Sequence, residues 1–453
     1  SGTDNAEKMR NFIIDAYNDW ETEYVLLGGD TNYIPSRSLY VSAYDGIDRI
    51  TRYIPSDYYF QCLDGDFNYD GDSKWGEPFV DGVGGGDVDL LSEVFIGRAS
   101  ASSASEFANF VYKVITYENN TDVDRGAMYL GENADSSSWG CTTMKELKSG
   151  TSNHGFTTVG VDYDASWTAH ELYECDGGWS SSTAKALINA NEISIINAAG
   201  HGSVTSCAKF STSTAASLTN TTNFPFMYTC ACSPGAFTSG CIAESFTTSS
   251  RTSMIGGIWN SVEGFYQYNN RTDIETQYVM RYMWDHFFAG GVRQMGKMNA
   301  FSHETELASY SGNGYSYFVA YETNLFGDPH TSIVYHDALP DCNDDSDCDD
   351  GNWCNGTETC VAEHCVDGSE PCPGQSCNGT TEECLTESCY YDEDSDGDND
   401  VMQEPGGTTC WRRCPMPQEW DGTQCTGSVS SSYSRNSGVA ACEAEGDYHL
   451  VEL

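Results

Sequence analysis

Six short apolar segments recur along the first part of the chain, and each is closed by glycine or a polar residue. They are YVLLGG (24–29), EVFIGR (93–98), AMYLG (127–131), ISIINAAG (193–200), PFMYTCA (225–231) and SMIGGIW (253–259). Runs of this length, apolar on both faces, are typical of strands in a mostly parallel sheet that is covered on both sides. The pattern therefore predicts a buried sheet.

Between these segments lie stretches with the period of an amphipathic helix. One covers residues 105–117, with Ser105 as the predicted N-cap, and another covers 274–291 and ends at Gly290 and Gly291. Strands that alternate with helices predict an α/β fold in which the helices cross over and flank the sheet. We expect this domain to occupy residues 1–338.

The composition changes at HDALPDCNDD (336–345). From residue 340 onwards the chain has 26 acidic and 3 basic residues, a net charge of −23, and large apolar residues become rare. The segments CDDGNWCNGTETC (348–360) and CPGQSCNGTTEEC (372–384) read as two copies of one short unit. Such a segment cannot bury enough apolar area to order itself, so disulfides or metal must do so. We expect a small disulfide-rich tail, with a cysteine-rich repeat-like module at 339–390 and an acidic, cysteine-containing segment at 391–453.

Charge and cysteine content narrow the class of protein. The formal net charge of −47 argues against nucleic acid and anionic membranes as partners, because both require basic surface. No apolar run approaches the roughly 18 residues of a membrane span. The 20 cysteines point to an oxidising compartment, so we expect a secreted, extracellular or cell-surface protein. The tail would then serve cell-surface attachment or self-association.

Two of the apolar segments end in residues with reactive side chains, a histidine and two cysteines. IINAAGHG (195–202) ends at His201, and PFMYTCAC (225–232) ends at Cys230 and Cys232. In open α/β sheets functional groups gather at the carboxyl ends of the strands. A neighbouring imidazole can remove the proton of a thiol, and the backbone N–H groups of Gly202 and Cys232 could stabilise an oxyanion. The alternative is a core histidine with a Cys230–Cys232 or Cys232–Cys241 disulfide.

The ordered set of motifs resembles the gingipain family of caspase-like cysteine peptidases. It comprises YVLLGGDTNYIP (24–35), EVFIGRASASSASEF (93–107), SIINAAGHGS, PFMYTCACSPGAF (225–237) and NLFGDPHTSIV (324–334), and it covers about residues 5–336. The resemblance implies a caspase-like fold and a cysteine endopeptidase that cleaves proteins or peptides. It implies Cys232 as the nucleophile and His201 as its base, with Cys230 and Cys207 left to pair with other cysteines.

The resemblance also implies further site residues. An acidic residue after an earlier strand orients the histidine in this family, and Glu132 holds the matching place, with Asp135 as the second choice. The substrate pocket falls near GGIWNSVEG (256–264), with Trp259, Asn260, Ser261 and Glu263 as its walls, and Glu263 suggests a basic P1 residue. The family's strand and helix elements before a helix like residues 5–20 have no counterpart here, so we expect the sequence to begin inside a longer chain.

A separate acidic motif predicts calcium binding. DGDFNYDGDSKWGE (64–77) has the spacing D-x-N-x-D-G-x-x-x-x-x-E of a calcium loop, in which a glycine makes the turn at the sixth position. Its predicted ligands are Asp66, Asn68, Asp70, the backbone carbonyl of Asp72, and Glu77. The run DEDSDGDND (392–400) repeats the first part of this spacing with Asp392, Asp394 and Asp396. We expect structural calcium and no organic cofactor.

Three hypotheses follow for the function. The leading one is a cysteine endopeptidase with calcium-stiffened acidic loops. The second is a non-catalytic structural or adhesive protein that keeps a peptidase-like fold, which a disulfide at Cys232 would favour. The third, a zinc enzyme, is weak because no Cys-x-x-Cys pair is set against a second pair at zinc spacing.

Overall fold

The structure is a computed structural model of the 453-residue chain. It describes the ranges 2–44, 49–77, 90–120, 123–134, 138–152, 157–237, 240–266, 272–309 and 314–333, and short pieces of the tail between 356 and 426. The chain divides into two compact units, Ser1–His336 and Asp337–Leu453. The further division of the tail at residue 390 stays a prediction.

An eight-stranded sheet forms the centre of the first unit. Its order is β1-β4-β13-β12-β11-β7-β5-β6, and every neighbouring pair is parallel except β12 with β13. The strands, numbered in chain order, are β1 Tyr24–Gly28, β4 Phe95–Ala99, β5 Gly126–Gly131, β6 Thr168–Tyr173, β7 Ile195–Ala199, β11 Phe226–Thr229, β12 Gly256–Asn260 and β13 Thr323–Phe326.

Helices connect the strands. They are α1 Asn5–Trp20, α2 Tyr58–Gln61, α3 Ala104–Glu118, α4 Trp139–Ser149, α5 Ser181–Asn189, α6 Thr212–Ala215, α7 Ile242–Thr247, α8 Glu275–Phe288, α9 Met295–Ser309 and α10 Gly314–Glu322. Two small sheets complete the described part of the unit: the hairpin β2 Arg37–Tyr44 with β3 Arg49–Ser56, and β8 Gly202–Ser203, β9 Ser206–Cys207 and β10 Phe210–Ser211.

The predicted α/β fold with a mostly parallel sheet is confirmed, and all six apolar segments contain strands. The start of α3 differs from the prediction. Ser103, not Ser105, caps this helix, because its hydroxyl accepts the Glu106 N–H. The sequence pattern did not reveal β6, whose side chains are half exposed, nor the β2–β3 hairpin. The predicted stop at Gly290 and Gly291 lies just beyond the end of α8.

A buried ion pair joins the first half of the sheet to the segment after β3. The Arg98 guanidinium on β4 donates to both carboxylate oxygens of Asp57, at 2.8 and 2.6 Å, and also to the carbonyl oxygens of Gly29 and Ile34. Arg98 is fully buried, so a bidentate partner and carbonyl acceptors are what makes its burial tolerable. The arginine of the segment EVFIGR therefore has a structural role, as the positive partner of a buried ion pair.

The second unit is described only as four two-stranded antiparallel ladders. They pair β14 Thr359–Val361 with β15 His364–Val366, β16 Ser376–Asn378 with β17 Glu383–Leu385, β18 Val401–Gln403 with β19 Cys410–Arg412, and β20 Glu419–Trp420 with β21 Cys425–Thr426. In the first two ladders Cys360 lies opposite Cys365, and Cys377 lies opposite Cys384. Among the described residues of the chain, no helix has the length and apolarity that crossing a bilayer requires.

Glu306 on α9 predicts a pH dependence of stability. Burial raises the pKa of Glu306 to about 8, although the Ser316 hydroxyl donates to its Oε1 at 2.7 Å. Because the folded-state pKa is raised, the contribution of this group is fully present below its unfolded pKa and is lost as pH rises towards 8. The shift corresponds to a few kcal/mol, at about 1.4 kcal/mol per pKa unit.

We therefore expect Glu306→Gln to lose less stability than the wild type between pH 5 and pH 8. The measurement is the free energy of unfolding by urea at several pH values. Glu192→Gln, at an exposed position, is the matched control, and its free energy of unfolding should depend on pH as that of the wild type does. Parallel pH curves for wild type and Glu306→Gln would contradict the prediction.

Candidate functional site

The register of two neighbouring strands places His201 and Cys232 at the same level of the sheet. Strands β7 and β11 are parallel, and Ala198 of β7 lies opposite Thr229 of β11. His201 and Cys232 each follow three residues after this aligned pair. Both residues therefore leave the same edge of the sheet side by side, as the carboxyl ends of adjacent parallel strands do.

The backbone after the two strands is in direct contact at Gly202. A Cβ added to Gly202 would lie 2.6 Å from the Cβ of Ala231 and 2.9 Å from the carbonyl oxygen of Cys232. Real Cβ atoms do not approach that closely, so any larger residue would push the two turns apart. Glycine at 202 is thus required by the approach of the His201 turn to the Cys232 turn.

Cys230 and Cys232 have different surroundings although they are two residues apart. Strand β11 ends at Thr229, so the alternation of a regular strand does not continue through these cysteines. Cys230 is buried, and burial raises the pKa of its thiol to about 12. Cys232 is half-buried, and both residues are free thiols. The end of the strand before Ala231 therefore separates the accessible thiol from the buried one.

The turn that contains Cys232 is hydrogen-bonded to the end of β12 and to the segment that follows this strand. The Ser233 N–H donates to the Val262 carbonyl oxygen at 2.6 Å, and the Gly235 N–H donates to the Asn260 carbonyl oxygen at 2.9 Å. Ser233 has a φ of 61°, a left-handed conformation that is uncommon for residues other than glycine. This sharp turn directs the chain away from the sheet directly after Cys232.

Glu132 lies beside His201 and bonds to its backbone. It directly follows β5, and its Oε2 accepts the His201 N–H at 3.2 Å, while its own N–H donates to the Ala199 carbonyl oxygen at 2.9 Å. Oε1 is buried and has no hydrogen-bond partner. Burial raises the pKa of Glu132, and the bond from His201 opposes this shift. Asp135, the second choice, lies outside the described residues.

Two residues near His201 were missed by the sequence analysis. Glu174 accepts the Asn133 N–H at 2.6 Å and pairs with the Lys209 ammonium at 2.6 Å. Burial raises the pKa of Glu174, but the Asn133 N–H, Lys209 and the nearby His201 together lower it below its usual value. No motif marks Glu174 or Lys209, because their roles depend on contacts between distant parts of the chain.

The four predicted pocket residues are mostly buried. The fully buried Trp259 ring lies 6.2 Å from the Phe246 ring and 5.8 Å from the Phe326 ring, between centroids, so it belongs to the core. Asn260 and Ser261 are also buried, and their side-chain polar atoms lack hydrogen-bond partners.

Glu263 lies at the surface of the same segment. The Arg52 guanidinium on β3 donates to its carboxylate at 2.5 Å. A basic substrate group would therefore compete with Arg52 for Glu263.

A third residue, Glu322, lies near the Cys232 thiol and was also missed by the sequence analysis. Glu322 at the end of α10 is fully buried, and neither of its carboxyl oxygens has a hydrogen-bond partner. Burial raises the pKa of Glu322 well above its usual range, and the nearby Cys232 and Glu263 raise it further. Burial of Glu322 therefore favours its neutral form over its charged form.

The acidic loop of residues 66–77 brings three carboxylates together. Side-chain oxygens of Asp70, Asp72 and Glu77 all lie within 4.8 Å of one another, and within the described residues this is the group of acidic, histidine or cysteine side chains with metal-binding spacing. Gly71 has a φ of +72°, as the turn requires. Asp66 is not part of this group.

Two features of the loop bear on cation binding. The Oδ1 atom of Asn68 is buried without a hydrogen-bond partner, as an unfilled ligand oxygen would be. The Lys74 ammonium lies 3.1 Å from the Glu77 carboxylate and 3.3 Å from that of Asp72, which raises the pKa of Lys74. The loop therefore already attracts a positive charge. Asp392, Asp394 and Asp396 of the second acidic run lie outside the described residues.

Comparison with known proteins gives a family and a fold. The family model of peptidase family C25 matches residues 1–334. The crystal structure of the Arg-specific cysteine proteinase gingipain R superposes with a TM-score of 0.51 at 19% identity, covering 74% of this chain and 69% of that one. The complex of the RgpB pro- and mature domains of Porphyromonas gingivalis gives 0.51 and 19%, covering 73% and 70%. No curated protein matches the sequence significantly.

Proposed function

The chain belongs to peptidase family C25, a family of cysteine peptidases, and we propose that it is a secreted or cell-surface endopeptidase that hydrolyses proteins or peptides. The observation that carries the proposal is the contact of the His201 turn with the Cys232 turn at Gly202. That contact supports joint action of the accessible thiol and the imidazole. The resemblance to the gingipain family that the sequence predicts is confirmed.

In the proposed mechanism Cys232 attacks the carbonyl carbon of the scissile bond. His201 accepts the thiol proton and then donates it to the leaving amine, which releases the first product and leaves an acyl-enzyme. Water then attacks the thioester carbonyl while His201 accepts its proton, and the C–S bond breaks. This step releases the second product as a carboxylic acid, and His201 returns the proton to the Cys232 sulfur. The N–H groups of Gly202 and Cys232 are the proposed donors to the oxyanion.

Glu132 is proposed as the residue that positions His201. The contact that supports this role is the bond from the His201 backbone N–H to Oε2, rather than a bond to the ring. The unpartnered Oε1 leaves one carboxyl oxygen available for the imidazole when it carries a proton. For the substrate pocket, Glu263 stays the proposed acceptor of a basic P1 side chain, with Arg52 as its competitor and with Asn260 and Ser261 behind it, whereas the Trp259 ring lies in the core.

Structural calcium is proposed at the acidic loop. Asn68, Asp70, Asp72 and Glu77 supply the oxygen ligands that calcium prefers, and Asp66 stays a weaker candidate. The support is the converging carboxylates and the unpartnered Asn68 oxygen. A disulfide at Cys232 would favour the alternative of an adhesive protein, and Cys232 is a free and half-buried thiol.

Cys232→Ala should abolish both peptide cleavage and labelling by a thiol-directed electrophilic peptide, because no other residue supplies the attacking sulfur. Mass spectrometry of the labelled wild type should place the label on Cys232. Cys230→Ala is the matched control two residues away and should keep both activities. A label on another cysteine, or full activity of Cys232→Ala, would overturn the assignment.

Glu132→Ala should lower kcat/KM by about 10- to 100-fold, the usual effect of losing a hydrogen bond to a charged group at 1.5–3 kcal/mol. Glu132→Gln should lose less, since its amide oxygen can still accept the His201 N–H. Steady-state cleavage of a fluorogenic peptide checks both variants, with folding verified by thermal melting. Equal activity in wild type and Glu132→Ala would exclude a positioning role.

Calcium should raise the melting temperature relative to the same protein with a chelator, because it binds the folded loop and not the unfolded chain. Glu77→Gln should remove this response. Lys74→Ala should retain it, since that change removes only the competing ammonium, and Glu192→Gln serves as the control for charge. Coincident melting curves of the wild type with calcium and with chelator would show that structural calcium is absent.

A further inference from the structure

Two cysteines outside the proposed active site are in contact. Cys141 lies in the first turn of α4, and Cys175 lies in the 3₁₀ turn Glu174–Asp176 that follows β6. The Cys175 N–H donates to the Cys141 sulfur at 3.1 Å, and the contact with Cys141 raises the pKa of the Cys175 thiol. The Cys141 sulfur therefore lies against the backbone of Cys175, so the two residues are neighbours in space, as the short Cα–Cα separation of a disulfide requires.

The two residues differ in accessibility in a way that suits disulfide formation. Cys141 is buried, and its backbone packs tightly on β5: a Cβ added to Gly131 would lie 2.9 Å from the Cys141 Cα. Cys175 is exposed, with the Lys145 ammonium 3.9 Å from its sulfur. An external reagent therefore reacts first with the exposed Cys175, and the buried Cys141 lies next to it in a fixed position.

We propose that Cys141 and Cys175 form a structural disulfide, with a thiol–disulfide oxidant as the electron acceptor. The Cys175 thiolate attacks one sulfur of the oxidant's disulfide and releases the other as a thiolate. The Cys141 thiolate then attacks the Cys175 sulfur and releases the second oxidant sulfur. Two protein thiols become one disulfide, and the oxidant leaves as two thiols that carry the two electrons and two protons.

The thiol chemistry of Cys175 favours a stable bond over a reactive sensor. Partial desolvation, and then its contact with Cys141, raises the pKa of Cys175 to about 11, so little of this thiol is ionised at neutral pH. The cross-link would also brace the loop that carries Glu132, because Glu174 of the same turn accepts the Asn133 N–H. The proposal does not depend on peptidase activity.

Peptide mapping of the full chain, secreted from a cell with an oxidising export pathway, tests the bond directly. The protein is alkylated without reductant and digested with trypsin. Cleavage after Arg125, Lys145, Lys148 and Lys185 gives peptides 126–145 and 149–185, each with a single cysteine. We expect these two peptides as a linked pair that separates on reduction. Recovery of both as singly alkylated peptides, or linked to other cysteines, would overturn the proposal.

The change in melting temperature on reduction gives a second measurement. Because each variant is compared with itself with and without reductant, a folding defect of the variant does not produce the expected difference. Reduction with dithiothreitol should lower the melting temperature of the wild type by about 5 °C, as expected for opening a cross-link in a unit of this size. The exposed variant Cys175→Ser should melt near the reduced wild type and should lack this response. Cys230→Ala should keep it. An equal response in wild type and Cys175→Ser would contradict the proposal.

Discussion

The parallel register of β5, β7 and β11 is the constraint on which the rest of the site depends. Gly131 lies opposite Ala199, and Ala198 lies opposite Thr229, so the three strands end at one level. Glu132, His201 and Cys232 follow those ends within a few residues. A shift of one residue in either ladder would turn each strand over and bury what it now presents. The buried apolar faces on both sides of these strands make such a shift costly, and so the core determines the geometry of the site.

Two glycines, Gly200 and Gly202, allow the chain segments that follow the aligned strands to pack against one another. Gly202 lets the backbone after β7 touch the turn at Ala231 and Cys232, and Gly200 lets the Glu132 side chain lie against the chain just before His201, since a Cβ there would come within 2.6 Å of the Glu132 side chain. The sequence analysis considered these glycines only through Gly202, whose N–H is a predicted donor to an oxyanion. The structure gives them a second use, which is the close packing of three turns from three different strands.

The fold, and the edge of the sheet at which the site lies, could be predicted because both follow from local patterns in the sequence. Apolar runs with polar ends specify the strands, and parallel strands bring their carboxyl ends together. What could not be predicted depends on pairs of residues far apart in the chain. Arg52 reaches Glu263 across 211 positions, and Glu174 meets Asn133 across 41. Trp259 was placed in a pocket by its position in a motif, whereas its apolar ring lies in the core, where most aromatic side chains of such strands belong.

The distribution of acidic groups around Cys232 follows from the balance between charge and burial. A chain with a net charge of −47 risks placing carboxylates near the thiol that we propose as the nucleophile. Two devices limit that effect among the described residues: ion pairs join Arg52 to Glu263 and, beside His201, Lys209 to Glu174, and complete burial raises the pKa of Glu322 well above its usual range. Glu132 differs, because it is buried, has one unpartnered oxygen and accepts the His201 N–H. It is thus the carboxyl beside the site whose charge no basic side chain pairs with directly, and an imidazolium at His201 is the cation that would stabilise it.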